Sequence, residues 1–318
     1  MTDSIRALCI FDEPDLFSEM LEQRLPQVEF SYATDGAGVL GALENGGPDV
    51  AFSIKHPDFP GEAQAPILDA PNLKWLQVGG SGYEQFAHWD KERIVLTNAV
   101  GVLSRFLAET VTGAMLTLNG QFPGYIRQQK QKIWRTYGFR PVSDQTILVI
   151  GAGQIGGFVA DNCKALGMTV LGVRGSGRAH PNVDEMHTPD ALLELLPRAD
   201  IISVHVRANE ETRKMFNEST FALMKRGVMF LNTARGMVVD EQALIAALNS
   251  GQVSSAYLDV FETEPLPTDS PFWEMDNVLL TPHASDQVLD WPVRLAGFFA
   301  DNLERWLRDE PLVNVLHS

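Results

Sequence analysis

A glycine-rich turn between a strand and a helix constrains the fold of this 318-residue chain more than any other feature. The apolar run TILVI, which is typical of a buried strand, is followed directly by Gly151, Gly153 and Gly156 in the pattern GxGxxG and then by a helical sequence. The first glycine of such a turn permits a tight bend, the second lets the backbone approach a pyrophosphate, and the third allows close contact between helix and strand. The helix N-terminus adds N–H donors and positive partial charge. The sequence therefore predicts a dinucleotide-binding βαβ unit, with Gln154 and Ile155 completing the turn.

The rest of the chain alternates short apolar runs with amphipathic segments. Before residue 100 the runs ALCIF, VEFSYA and DVAFSI alternate with helical sequences, and LKWLQV and IVLTNA follow as further strand candidates. A second alternating series begins at Gln145 and continues to NVLLTP. This rhythm is typical of parallel sheets flanked by helices. The predicted fold class is therefore α/β, with two doubly wound parallel-sheet domains, one flavodoxin-like and one of the Rossmann type.

Two helical segments set the predicted domain boundaries. Segment 102–118 contains no proline and has apolar residues at helical spacing, so it could lead from the first domain into the second. The closing segment 287–308 has the same spacing and is expected to pack back on the first domain. We therefore predict a discontinuous substrate domain, residues 1–99 plus 286–318, and a dinucleotide-binding domain, residues 100–285.

The charge balance argues against several classes of partner. The formal net charge is −16 and the sequence pI is near 4.8, so the surface repels phosphate backbones and anionic lipids. No segment approaches about 18 consecutive apolar residues, and the start of the sequence lacks the pattern of a secretory signal. Cys9 and Cys163 are too few for a disulfide framework or a cysteine metal site. We expect no nucleic acid, membrane or metal as partner, and a cytoplasmic location.

The end of the second strand of the βαβ unit indicates which dinucleotide is bound. About 20 residues after such a glycine turn, an Asp or Glu usually binds the ribose hydroxyls. Here TVLGV is followed instead by Arg174, Ser176 and Arg178, with no carboxylate before Asp184. Guanidinium and hydroxyl groups bind a 2′-phosphate through charge-assisted hydrogen bonds, so NADP is predicted over NAD, which stays possible. In the alternative interpretation, both arginines are ordinary surface charges.

Three later segments, each where a predicted strand ends, carry groups suited to proton transfer. LNTARG contains Arg235, LDVFETEPLP contains Glu264, and LLTPHAS contains His283. Reduction of a 2-oxo acid needs a proton donor beside the carbonyl oxygen and a cation for the carboxylate, and His and Arg provide these. A carboxylate hydrogen-bonded to an imidazole favours its protonated form. Each residue alone could be an ordinary loop residue, but their placement at one sheet edge predicts an active site.

The motifs follow one another in the order of a known family. LQVGGSGYE, NAVGVLSRFLAE, VIGAGQIG, SVHVRANEETRKMFN, FLNTARG, LDVFETEPLP and NVLLTPHAS extend over nearly the whole chain. In this respect the chain resembles the D-isomer-specific 2-hydroxyacid dehydrogenases, and it looks most like their glyoxylate/hydroxypyruvate reductase branch. The resemblance implies an oxidoreductase that transfers a hydride between NADP(H) and a small 2-oxo or 2-hydroxy acid, and a homodimer.

The resemblance also implies a role for each matched residue. Arg235 would orient the substrate, His283 would be the acid/base, and Glu264 would pair with its imidazole. Asp259 in LDV would hydrogen-bond the nicotinamide carboxamide, and Thr233 would belong to the cofactor site.

Further matches lie in the first domain or keep an open role. The backbone N–H groups of Ser81 and Gly82, within GGSG, match the family's cradle for the substrate carboxylate. Trp134 could reach a neighbouring subunit or serve packing. The roles of His205 and Arg207 stay open.

A function of another class is compatible with the same fold. The fold also hosts nucleotide-sensing binding proteins whose main role is protein interaction, such as corepressors that resemble these dehydrogenases. The presence of all three catalytic positions favours the enzyme. Oxidation of NADPH with a panel of 2-oxo acids would distinguish the two functions.

Overall fold

The computed structural model describes residues 4–44, 46–56, 58–80, 82–86 and 88–316 of the chain. Within these stretches no helix is long and apolar enough to cross a membrane. Two parallel sheets flanked by helices are present, which confirms the predicted α/β class. The sheets belong to two compact units of the chain.

Unit 1, formed by Met1–Leu103 and Val288–Ser318, is built on a five-stranded parallel sheet in the order β2-β1-β3-β4-β5. This is the flavodoxin-like strand order. Strands β3 and β4 are buried along their whole length, which is why apolar residues predominate without alternation, with Ser53 and Gln77 as buried polar exceptions. The strands are β1 (Ile5–Ile10), β2 (Val28–Ala33), β3 (Val50–Ser53), β4 (Trp75–Val78) and β5 (Val95–Asn98).

Unit 2, formed by Ser104–Gln287, contains a seven-stranded parallel sheet in the order β8-β7-β6-β9-β10-β11-β12. The order reverses between β6 and β9, and doubly wound sheets bind nucleotides at such a reversal. Because all pairs are parallel, the carboxyl ends of all seven strands lie at one edge. The strands are β6 (Thr146–Ile150), β7 (Thr169–Val173), β8 (Glu185–His187), β9 (Ile201–Val204), β10 (Val228–Asn232), β11 (Val253–Leu258) and β12 (Val278–Leu280).

Helices flank both sheets. The helices of unit 1 before the boundary are α1 (Ser18–Arg24), α2 (Gly36–Leu43) and α3 (Gly61–Gln64). Those that follow are α4 (Ser104–Asn119), α5 (Phe122–Gln131), α6 (Gln154–Ala165), α7 (Leu192–Leu195), α8 (Glu218–Leu223), α9 (Glu241–Ser250) and α10 (Trp291–Leu307).

The closing helix α10 belongs to unit 1 because its buried face is matched to the first sheet. Phe299 stacks on Phe52 with ring centroids 4.7 Å apart. Buried Asn302 donates to the side-chain oxygen of Gln77 at 3.0 Å, and Gln77 also accepts from Thr97 at 2.8 Å. The buried polar groups therefore satisfy one another. That unit 1 is the substrate domain and unit 2 the cofactor domain stays a prediction.

The sequence did not indicate two elements of unit 2. Strand β8 has three residues, EMH, of which the first is exposed, so it carries no apolar alternation and depends on pairing with β7. Helix α5 has a proline in its first turn, where the missing N–H costs little, and continues through the polar run QQKQ.

Candidate active site

The glycine turn lies between β6 and α6, and its glycines are required for different reasons. Gly151 has φ +88°, and a Cβ there would lie 2.6 Å from the backbone carbonyl of His205. A Cβ on Gly156 would lie 2.4 Å from the carbonyl oxygen of Gly151. At Gly153 the nearest atom would be 3.9 Å away, so the backbone is open at the start of α6. The turn therefore fits a pyrophosphate group.

The first turn of α6 supplies donors to this opening. It begins with Gln154, which is exposed, and Ile155, which is half-buried. The N–H of Gly157 bonds to the carbonyl of Gly153 at 2.9 Å. N–H groups earlier in a helix have no intrahelical acceptor, so those of Gln154 and Ile155 are placed to bind an anion.

The turn after β7 carries the residues predicted for the 2′-phosphate. The N–H of Arg174 donates to the carbonyl of His187 at 2.9 Å, while Ser176 and Arg178 are exposed. Among the residues that the structure describes, neither guanidinium forms an ion pair. Asp184, the next carboxylate along the chain, pairs instead with Lys164, and this hydrogen bond lowers its pKa. The turn therefore offers cations and a hydroxyl, which fits a phosphate better than ribose hydroxyls.

His283 and Glu264 form a hydrogen-bonded pair. Nδ1 of His283 lies 2.8 Å from Oε2 of Glu264, and Oε1 of Glu264 accepts from the N–H of Phe261 at 3.0 Å. Both oxygens of the carboxylate are therefore held. Because Nδ1 faces a carboxylate, it carries a proton, and Nε2 is left to exchange a proton with a ligand. The imidazole is 46% exposed, so a ligand could reach it.

Arg235 lies in the loop after β10, which packs against the loop that carries Glu264. The contact is made at Gly236, where a Cβ would lie 1.9 Å from the backbone of Phe261. Arg235 is half-buried, and its Nη1 donates to the carbonyl of Ala234 at 2.7 Å. A guanidinium has five N–H donors, so most remain for a carboxylate ligand. The structure thus brings Arg235, Glu264 and His283 onto neighbouring loops of one sheet edge.

Asp259 follows β11 and is buried, with 1% of its surface exposed. Its Oδ1 accepts from Thr281 Oγ1 at 2.5 Å and from the N–H of Ala284 at 2.8 Å. Its Oδ2 accepts from the N–H and the hydroxyl of Ser285 at 3.2 and 2.6 Å. Asp259 therefore anchors the loop that carries His283. The sequence did not indicate this role, because the donors are 22 to 26 residues further along the chain.

His205 lies beside the glycine turn as a neutral, hydrogen-bonded side chain. Its Nε2 is 2.8 Å from Ser203 Oγ, and its Nδ1 is 3.2 Å from the hydroxyl of buried Thr233. Burial lowers the pKa of His205 to about 3. The ring therefore stays neutral near pH 7 and does not compete with His283 as a proton donor. Arg207 is exposed.

Asp286 is an acidic group near the catalytic residues that the sequence motifs did not single out. Burial raises its pKa, the charge of His283 lowers it, that of Asp259 raises it, and that of Arg235 lowers it. Asp286 therefore lies close enough to these three residues for their charges to affect its pKa. In the described part of the chain it forms no ion pair. Its position three residues after His283 is the signal that could have revealed it.

The residues predicted for the carboxylate cradle belong to unit 1, and the described part of this unit also holds a cluster with metal-ligand chemistry. Gly82 is half-buried, and Ser81 lies outside the described residues, so the cradle stays a prediction. Ligand atoms of Asp12, His56 and Asp58 lie within 4.8 Å of one another. Nδ1 of His56 is 2.7 Å from Oδ2 of Asp12, so two of these groups already form an ion pair. We assign no metal to them.

Comparison with known proteins decides the family. The model for the D-isomer specific 2-hydroxyacid dehydrogenase, NAD binding domain, matches residues 112–285. The chain belongs to this family. The predicted resemblance is confirmed, and the dehydrogenase is an oxidoreductase with a domain that binds NAD(P).

Two relatives show which branch the dehydrogenase is similar to. The glyoxylate reductase of Korarchaeum cryptofilum is 34% identical over 259 residues, which cover 78% of this chain and 77% of that protein. The glyoxylate/hydroxypyruvate reductase B of Klebsiella pneumoniae subsp. pneumoniae is 33% identical over 244 residues, which cover 73% and 75%. The predicted likeness to the glyoxylate/hydroxypyruvate reductase branch is confirmed.

Solved structures share the fold along nearly the whole chain. A family protein from Aeromonas salmonicida has a TM-score of 0.88 at 31% identity, and 99% of each chain is covered. A D-isomer specific 2-hydroxyacid dehydrogenase from Xanthobacter autotrophicus, solved in complex with NADPH and MES, has a TM-score of 0.83 at 29% identity, with 98% of each chain covered.

Proposed function

We propose that this dehydrogenase reduces small 2-oxo acids with NADPH, glyoxylate and hydroxypyruvate being the first candidates. The observation that carries the proposal is the 2.8 Å pair between His283 Nδ1 and Glu264 Oε2, with Arg235 on the neighbouring loop. This arrangement offers a proton for the carbonyl oxygen and a cation for the carboxylate. Two relatives named for glyoxylate and hydroxypyruvate reduction support the choice of substrate.

The residues of the chain divide the work of the proposed mechanism. The nicotinamide, when bound, supplies the hydride. Arg235 binds the substrate carboxylate through charge-assisted hydrogen bonds. His283 donates the proton of Nε2 to the carbonyl oxygen as negative charge develops there. Glu264 keeps the proton on Nδ1 and stabilises the charged imidazole that precedes this transfer.

The chemistry of unit 2 supports NADP as the cofactor. The open backbone at Gly153 would hold the pyrophosphate, and Thr233 and Asp259 are the further residues proposed for the cofactor. Arg174 and its neighbours in the turn after β7 would bind the 2′-phosphate. The related structure that contains NADPH supports this choice.

The charge of Asp286 favours substrates that carry no second negative group. Its carboxylate is close enough to His283 and Arg235 for their charges to affect its pKa. A phosphate or a second carboxylate on a bound 2-oxo acid would meet repulsion there, whereas the hydrogen of glyoxylate or the hydroxyl of hydroxypyruvate would not. A hydroxyl could also donate to Asp286.

We also propose a cytoplasmic homodimer. Cys9 and Cys163 are both free and buried, which fits a reducing compartment. Large apolar side chains are exposed on α5 and the segment after it, and exposed apolar patches mark interaction surfaces. They are Phe122, Ile126, Ile133, fully exposed Trp134, and Phe139. Light scattering after size-exclusion chromatography should give twice the mass of 35.1 kDa, and a monomer at micromolar concentration would reject the dimer.

An assay of NADPH and NADH oxidation with glyoxylate, hydroxypyruvate, pyruvate and oxaloacetate tests the function. We expect turnover with the first two acids and a higher kcat/KM for NADPH than for NADH. Equal or better use of NADH would reject the NADP part of the proposal. Tight NADPH binding without turnover of any acid would favour the nucleotide-sensing alternative.

A further inference from the structure

His283 has a left-handed backbone conformation. Its φ is +51°, a region that residues with a Cβ rarely adopt. Such a conformation persists where surrounding contacts hold it. The N–H of His283 donates to the carbonyl of Asp259 at 2.8 Å and to that of Thr281 at 3.1 Å. These two hydrogen bonds therefore hold the backbone of the catalytic residue in its left-handed conformation.

The carboxylate of Asp259 holds the loop on both sides of His283. Thr281, two residues before His283, donates a hydrogen bond to this carboxylate. Ala284 and Ser285, the two residues after His283, donate to it as well. Because these three residues flank His283 and share one acceptor, their hydrogen bonds fix the backbone that carries the imidazole. The orientation of His283 thus depends on where Asp259 holds Thr281.

A buried tyrosine stands behind Thr281. Tyr257 lies two residues before Asp259 on β11, is fully buried, and has its hydroxyl 2.9 Å from Thr281 Oγ1. A carboxylate only accepts hydrogen bonds, so Thr281 donates to Asp259 and accepts from Tyr257. Burial raises the pKa of Tyr257 to about 12, so this hydroxyl keeps the proton that it donates. The hydrogen bonds therefore run in one direction, from Tyr257 through Thr281 to Asp259.

We propose that Tyr257 and Thr281 are positioning residues for His283. Their hydrogen bonds to each other and to Asp259 hold Thr281–Ser285 in the conformation that aims the imidazole at Glu264. The inference rests on the proposed function, in which His283 donates the proton. Neither residue touches the reacting atoms.

Substitutions at both positions test the inference, with a buried threonine of unit 1 as the matched control. Thr281→Val keeps the shape and removes both hydrogen bonds, Thr281→Ser keeps them, and Tyr257→Phe removes the outer one. The control is Thr97→Val, because Thr97 also links an aromatic donor, Trp75, to a side-chain acceptor, Gln77, although it is buried and Thr281 is half-buried. The measurements are kcat and KM for hydroxypyruvate, the Kd for NADPH, the Tm, and the imidazole ¹⁵N signals of His283.

Each variant has its own expected result. Thr281→Val lowers kcat about 10- to 100-fold, as loss of a hydrogen bond to a charged group predicts, and changes the NADPH Kd less than about threefold. Tyr257→Phe lowers kcat about 3- to 10-fold, and Thr281→Ser stays within about threefold of the wild type. Thr97→Val lowers the Tm but leaves kcat unchanged, because its network is confined to unit 1.

The NMR signals separate this inference from the proposed function. The His283 signals, assigned by their absence in His283→Gln, should show loss of the Nδ1 hydrogen bond in Thr281→Val and its retention in Thr281→Ser. Unchanged signals in Thr281→Val, or a kcat loss equal to that of Thr97→Val, would overturn the inference. Absence of wild-type turnover with every 2-oxo acid would instead overturn the proposed function, and the NMR comparison would still decide the positioning role.

Discussion

The loop Thr281–Ser285 after β12 and the turn Arg174–Arg178 after β7 lie at the same edge of the unit 2 sheet, but they are held in opposite ways. The loop is tied to buried Asp259 by hydrogen bonds to both carboxylate oxygens. The turn is held by backbone hydrogen bonds of Arg174, and Ser176 and Arg178 are exposed. Proton transfer needs a fixed geometry, whereas recognition of a phosphate rests on charge and tolerates mobile side chains.

This contrast predicts two kinds of variant. Changes on the loops that carry the catalytic residues should reduce the rate with either nicotinamide cofactor. Changes in the turn after β7 should alter the choice of cofactor and leave the chemical step intact. The expected effects are largest for the first kind.

Arg235→Met should have the largest effect. The guanidinium is proposed to form charge-assisted hydrogen bonds to the substrate carboxylate, each contributing about 1.5–3 kcal/mol, so kcat/KM should fall about 10²- to 10⁴-fold. Steady-state kinetics with hydroxypyruvate measure this, and Arg213→Ala, at an exposed arginine paired with Glu210, is the control. A similar loss with NADPH and NADH would agree with the proposed difference between the loop and the turn. A loss under tenfold would mean that Arg235 does not bind the substrate carboxylate.

Glu264→Gln should lower kcat about 10- to 100-fold near pH 7. Glutamine can still accept the 2.8 Å hydrogen bond from His283 but does not favour the protonated imidazole. The loss should therefore lie in the chemical step and not in cofactor binding. The measurement is kcat with hydroxypyruvate beside the Kd for NADPH. A kcat within about threefold of the wild type would mean that the charge of Glu264 is not needed.

Arg174→Ala should lower kcat/KM for NADPH about tenfold and leave that for NADH within about twofold. The reason is loss of a guanidinium that only the 2′-phosphate would engage. Parallel kinetics with the two cofactors give the answer, and Arg178→Ala shows whether the second guanidinium contributes. Equal losses with NADPH and NADH would contradict the proposed difference between the loop after β12 and the turn after β7, since the turn would then affect the chemical step.

Asp286→Asn should have the smallest effect, a rise of about 3- to 10-fold in the kcat/KM ratio of oxaloacetate to glyoxylate. Burial raises the pKa of Asp286, so in the wild type this ratio should increase as pH falls and the carboxyl becomes neutral. In Asp286→Asn the ratio should be independent of this titration. Asp290→Asn, at an exposed carboxylate, is the control. An unchanged ratio in Asp286→Asn would show that this carboxylate does not face the substrate.

The sequence predicted those features that depend on local spacing. The glycine turn and the motifs around Arg235, Glu264 and His283 are short, and their positions at strand ends follow from the alternation of strands and helices. Their pairing could be anticipated because carboxyl ends of parallel strands share one edge. The fold class followed for the same reason.

Other features depend on contacts that no local pattern encodes. Asp259 accepts hydrogen bonds from Thr281 and Ser285, which follow the next strand of the sheet, so these bonds form only when the two strands pair. The ion pair between Asp184 and Lys164 depends on α6 and β7 lying side by side, which no local pattern encodes. This pair explains why the first carboxylate after the turn is not free. Strand β8 is too short and too polar for its sequence to reveal it.

A single-turnover measurement on His283→Ala tests the central claim most directly. Enzyme loaded with NADPH is mixed with hydroxypyruvate, and the loss of reduced nicotinamide is followed by absorbance. Loss of the proton donor should slow this step at least about 10²- to 10⁴-fold, while the Kd for NADPH stays within about twofold of the wild type. A rate near that of the wild type would contradict the account, since the proton would then come from another group.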